Sequence, residues 1–150
     1  MRKKGSREMK SREALIRLQK WNVDEIRRKL ADLEGMRAEF EGRRAELEAT
    51  VADERRFGET SPIGSYAYPT FARAMNDRRQ KLEESLRGIE REIATTKDAL
   101  SDAFGELKKA ELLEESRLER ERLELNRKEQ AEVDEVALKT FRRRQLEGQA

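Results

Sequence analysis

Two apolar stripes, each repeating every seven residues, lie on either side of residues 57–69 and leave this chain few ways to fold. From Ser11 to Arg56, one heptad frame puts Ile16, Val23, Leu30, Arg37, Arg44 and Val51 at a positions. The same frame puts Gln19, Ile26, Leu33, Phe40, Leu47 and Glu54 at d, so that eight of twelve slots are apolar. From Ala72 to Ala110, a second frame places Ala72, Arg79, Leu86, Ile93, Leu100 and Leu107 at a. Met75, Leu82, Ile89, Thr96, Ala103 and Ala110 fall at d, and ten of these twelve slots are apolar or Ala. Repeats sustained over this many heptads predict coiled-coil helices.

The frames are independent of each other and yet agree. In an antiparallel pair, the a positions of one helix meet the d positions of the other. Folding at Ile63 pairs residues whose numbers sum to 126: Leu33 with Ile93, Ile26 with Leu100, Val23 with Ala103, Ile16 with Ala110. Every a then meets a d. The fold class predicted is all-α, a long two-helix antiparallel coiled-coil hairpin whose second helix is longer than the first. The expected layout is a helix over 11–56, a bend over 57–69 and a helix over 70–143, with a basic disordered arm at 1–10 and a disordered tail at 144–150. At about 1.5 Å per residue, the helices would measure about 70 and about 110 Å.

The stretch between the stripes, "SPIGSYAYPTFARA" at 61–74, holds both prolines and both tyrosines. Gly58 is suited to cap the first helix, and Pro62 and Gly64 to break it. Pro69 is suited to the first turn of the second helix, with Ser65 or Thr70 as its cap. Tyr66, Tyr68 and Phe71 are expected to seal the bend together with Phe57.

Composition supports this reading and excludes others. Charged residues make up 44% of the chain and hydrophobic ones 35%, enough apolar material for a seam but not for a globular core. Mixed charges at i,i+4, such as Glu13–Arg17 and Glu25–Lys29, favour helix by only about a few tenths of a kcal/mol each. Cys and His are both absent, which removes thiolate nucleophiles, imidazole bases and nitrogen- or sulfur-ligated metals. No GxGxxG or GxxxxGK[ST] phosphate loop is present. No catalytic residue, cofactor or metal is therefore expected. No apolar run exceeds a stretch such as "ALI", so direct membrane insertion is not expected, and the cytoplasm is the default compartment.

Some residues have no place in the seam. Leu18 and Trp21 fall at c and f positions, where an exposed Trp beside a Leu is a contact candidate. Leu112, Leu118, Leu123 and Leu125 lie on the overhang of the second helix, off its heptad frame, and are candidates to pack in a partner's groove. Residues 1–20 carry eight basic and two acidic side chains, and Met9 is the expected natural start. Such an arm can meet nucleic-acid phosphate or an acidic protein surface. Nothing after it resembles a base-reading module, so nucleic acid is not the favoured partner. The alternatives are an RNA-binding helical hairpin arm and a homo-oligomeric structural coiled coil.

Three stretches, "MKSREALIRLQKWNVDEIRRKL" at 9–30, "YAYPTFARAMNDRRQKL" at 66–82 and "EQAEVDEVALKTFRRR" at 129–144, together resemble the FliJ family of flagellar export proteins. Val133-Asp134-Glu135-Val136 is similar to that family's closing pattern. The resemblance implies a stalk in the flagellar type III export apparatus that binds and stimulates the hexameric export ATPase, contacts the membrane export gate and assists export chaperones. It places the ATPase-facing part at the start of the first helix and the overhang. It places the gate-facing surface near the bend, at Phe71 and Met75, with Arg44 standing where an aromatic residue is expected.

Overall fold

The computed structural model describes residues 2–149, with side-chain surroundings from residue 5 onward. It contains two helices, α1 (Arg2–Thr60, 59 residues) and α2 (Pro62–Gly148, 87 residues), packed against each other in opposite directions. The all-α hairpin with a longer second helix is therefore the observed fold.

The helices run further than the layout read from sequence. α1 begins at Arg2 rather than residue 11, α2 continues to Gly148 rather than 143, and the bend shrinks from 57–69 to Ser61. Arg, Lys, Glu and Gln are strong helix formers, and no proline interrupts either end. Met1 and Ala150, at the ends of the expected arm and tail, lie outside the described residues.

Ser61 serves both helices. Its amide donates to the Phe57 carbonyl at 3.1 Å, closing the last turn of α1, and its carbonyl accepts the Ser65 amide at 2.9 Å, opening α2. The Ser61 hydroxyl accepts the Gly64 amide at 3.5 Å, as a helix N-cap does. Pro62 follows at the first helical position, where its missing amide leaves nothing unpaired and its fixed φ already suits the helix. Read as a breaker, it is in fact the starter. The Thr60 hydroxyl donates to the Arg56 and Phe57 carbonyls, covering carbonyls at the end of α1. Gly58 supplies no left-handed cap, since no described residue has positive φ. Pro69 sits inside α2, not in its first turn, and withholds one amide from the ladder there.

Gly64 is needed for space. A Cβ at this buried position would lie 2.7 Å from Phe57 Cδ1 and 2.9 Å from the Phe57 carbonyl oxygen. The side chain could rotate away, but the backbone oxygen cannot. Gly64→Ala is therefore expected to destabilise the hairpin by about 1–3 kcal/mol, the usual range for overpacking. Denaturant unfolding followed by circular dichroism reads this directly; an unchanged midpoint would contradict the tight junction.

The chain divides into two compact units, one over Leu18–Gly105 and one joining Met1–Arg17 to Glu106–Ala150. In the first, the seam is apolar. Val23, Leu33, Leu47, Met75, Leu86, Ile89, Ile93 and Ala103 are buried, and Leu33, Ile89 and Ile93 form a cluster with Leu30 and Phe40 packed against it. Leu33 and Ile93 are the pair that the sum of 126 brings together. Thr96 is the one buried polar side chain of that seam, and no described buried side-chain polar atom lacks a partner. Among the predicted slots of this unit, only Arg44 and Glu54 are exposed. Arg79 reaches out of its slot to hold Glu48 of α1 with two hydrogen bonds, one of 3.1 Å between Nη2 and Oε2. Its stem covers the seam while its head meets water and a counter-charge, as long basic side chains do.

In the second unit the seam changes character. Ile16, Leu107 and Ala110 are half-buried. The next two slots, seven residues beyond Leu107 and Ala110, hold Glu114 and Arg117 in place of apolar residues. From Leu118 to Gln149 every residue is exposed.

Candidate partner-binding surfaces

In the Leu18–Gly105 unit, both helices contribute to a groove of about 600 Å³. Phe40 and Leu47 of α1 and Phe71, Met75 and Leu82 of α2 give it apolar walls, and Arg43, Arg78 and Lys81 rim it with Glu46 as the lone acid. Heptad spacing produces this geometry. Residues 40 and 47 are successive d positions, and 75 and 82 are successive d positions on the opposing helix. The Arg43 guanidinium lies 5.0 Å from the centre of the Phe40 ring, an arrangement in which the cation is attracted by the ring face.

The two residues singled out near the bend have unequal access to this groove. Phe71 is half-buried and opens onto it. Met75 is only 8% exposed and belongs mainly to the seam, so it forms floor rather than handle. The aromatic seal is also partial. Tyr68 and Phe71 are half-buried, but Tyr66 is 91% exposed, and Phe57 and Ile63 also face solvent. Tyr66 therefore takes no part in the seal, which a count of aromatic residues could not reveal.

Leu18 and Trp21 are both exposed on α1, as c and f positions require. Among the described residues no cation stacks on Trp21. The cation–ring contact of this neighbourhood is Arg27 over Phe104, at 4.8 Å.

The second unit holds Leu112, Leu118, Leu123 and Leu125, all exposed. Because α1 extends back to Arg2, the register sets residues 14 and 8 level with Leu112 and Leu118, so these two do not lie on an overhang as expected. Sequence reasoning missed several companions: Leu113, Val133, Val136, Leu138 and Phe141 are exposed as well. Val133, Val136 and Phe141 follow the i, i+3, i+8 spacing of one helix face. That spacing is visible in the sequence, although it lies outside the two heptad frames.

Where α1 meets α2 in this unit there is a smaller groove of about 260 Å³, with Leu15, Ile16, Ala110 and Leu113 as apolar lining and Arg12, Glu114, Arg117 and Arg120 as charged lining. Arg117 is fastened on its own helix. Its Nε and Nη2 donate to the two carboxylate oxygens of Glu114 at 3.0 and 2.6 Å, and its Nη1 donates to Glu121. Both partners at the centre are largely covered, with side chains 12% and 15% exposed for Arg117 and Glu114. The bidentate bond from Arg117 holds the Glu114 carboxyl below the usual glutamate range, with the nearby Arg12 charge acting in the same direction. The same bond raises the Arg117 guanidinium further above its already high value. Glu119 and Arg122 repeat the pattern at the surface, where Glu119 is lowered by its bond from Arg122.

Among the described residues no cluster of three or more acidic, His or Cys side chains is arranged to hold a metal ion, and no helix is long and apolar enough to cross a membrane.

The family model described as flagellar FliJ protein matches residues 9–146, nearly the whole chain. No curated protein and no solved structure matches it.

Proposed function

The chain belongs to the FliJ family of flagellar proteins, and from that premise we propose that it acts as the non-enzymatic coiled-coil stalk of the type III export apparatus. It is a component of flagellar protein export, and of protein transport in that sense. In the reading proposed, it binds and stimulates the hexameric export ATPase, links that ATPase to the export gate and assists export chaperones at the cytoplasmic face of the membrane.

One observation supports this most directly. The final turns of α2, from Leu118 to Gly148, stay helical with every side chain exposed, and they carry Leu123, Leu125, Val133, Val136 and Phe141 at several points around the helix. Helix propensity alone holds such a segment weakly. Same-helix pairs such as Arg122–Glu119 and Lys139–Glu135 support it but are exposed and weak. Apolar side chains left exposed on a helix are suited to a groove in another protein. The overhang and the start of α1 are thus assigned to the ATPase.

The gate is assigned to the groove between Phe40, Leu47 and Phe71. Its apolar walls and basic rim suit an extended or helical segment that carries aromatic or aliphatic anchors and acidic flanks. Leu18 and Trp21, exposed on α1, are assigned to the chaperone or ATPase contact.

The deciding experiment is co-purification of the full chain with the hexameric export ATPase. The expected result is a stable complex with raised ATP hydrolysis. If the chain elutes alone and hydrolysis is unchanged, the stalk reading falls.

A further inference from the structure

The groove shared by the start of α1 and residues 110–120 of α2 carries a charge imbalance that the ATPase reading does not use. Three arginines and one glutamate line it. Arg117 and Glu114 neutralise each other through two hydrogen bonds, and Arg117 takes Glu121 as a second acid. Arg12 and Arg120 remain. Among the described residues neither has a carboxylate within ion-pair distance, and Arg120 has only a long 3.4 Å bond to the Ser116 carbonyl. Leu15 and Leu113, both exposed to solvent, line the same groove.

We propose that this groove receives an acidic, leucine- or isoleucine-bearing segment of the export ATPase, with its aliphatic side chain between Leu15 and Leu113 and its carboxylates on Arg12 and Arg120. The proposal rests on the reading that this unit engages the ATPase, and it adds the chemistry of the contact. Charge complementarity selects the occupant. A basic segment would meet two guanidinium groups that hold no carboxylate within ion-pair distance, and a purely apolar one would leave both without a bonded partner. Arginine suits the task because its planar fork binds a carboxylate with two parallel bonds. The Glu114–Arg117–Glu121 network is the fixed wall of the site. It uses up the central arginine and so leaves the two flanking ones for the partner.

The test compares ATPase binding by the full wild-type chain, R12E/R120E, R12K/R120K and L113S, using biolayer interferometry at low and physiological salt. Circular dichroism checks that helix content is unchanged. The expected result is at least about tenfold weaker binding for R12E/R120E, a clear loss for L113S, partial retention by R12K/R120K and a wild-type affinity that falls with salt. Equal binding by wild type and R12E/R120E overturns the groove assignment while leaving the stalk reading intact. Failure of the wild-type chain to bind the ATPase overturns both. If light scattering shows a concentration-dependent dimer that R12E/R120E abolishes, the occupant is a second copy of this chain and the proposal falls.

Discussion

Cutting the chain after Leu118 will abolish stimulation of the export ATPase while leaving the hairpin folded. The described residues removed, 119–149, are all exposed and none is buried in the seam. The buried set ends at Ala103, and the half-buried positions of α2 end at Arg117. The truncation keeps Glu114, so Arg117 retains its bidentate partner and loses only Glu121. Thermal unfolding of the shortened chain should therefore keep its midpoint, and far-UV ellipticity should fall only by the share of helix removed. A stalk that contacts the ATPase through the overhang loses all stimulation. Full stimulation by the shortened chain would show that the ends have been assigned the wrong way round, even if the chain still binds.

The second large effect concerns stability. Leu33→Ala is expected to cost about 2–4 kcal/mol, because it hollows the cluster in which Leu33 meets Ile89 and Ile93. In a two-helix seam no third layer can collapse into the gap, yet solvent can enter it, which holds the cost below the largest seen in globular cores. Ile93→Ala should be similar, and the double variant should cost less than the two singles together, since both remove the same contact. Urea unfolding of the three variants forms a complete cycle. Strict additivity would mean that residues 33 and 93 do not touch, and with it the sum-of-126 register would be lost.

Much of the fold could be read before any coordinates, and the reason is specific. A heptad stripe encodes which face is buried, and two stripes flanking a bend encode how they pair; Leu33 and Ile93 followed from that alone. The bend was harder. Glycine and proline mark a reversal, but the same proline that ends one helix can begin the next, and only the Ser61 hydrogen bonds show which role Pro62 plays. The continuation of the seam through Glu114 and Arg117 was hidden for another reason. Apolar periodicity cannot register a slot filled by an ion pair, so by apolar spacing alone the frame ended at Ala110 when it had kept its phase. Among the partner-contact candidates, Leu18, Trp21, Leu112, Leu118, Leu123 and Leu125 are exposed as their positions off the stripes required. Met75 was chosen by resemblance, and its d position already pointed inward.

The one-residue junction has a consequence for everything downstream of it. Sliding α1 along α2 by one heptad would dislodge Ser61 from its double role and move Pro62 to a place where an amide proton is required. In one direction it would also bring Arg79 from Glu48 toward Arg55, a like charge. Alignment is thus dictated at the turn and merely obeyed along the rest of the pair. That relieves the stripes of the duty of spelling out their own phase, and it explains how Arg37, Arg44 and Glu54 can occupy positions that a free-standing zipper would reserve for leucine.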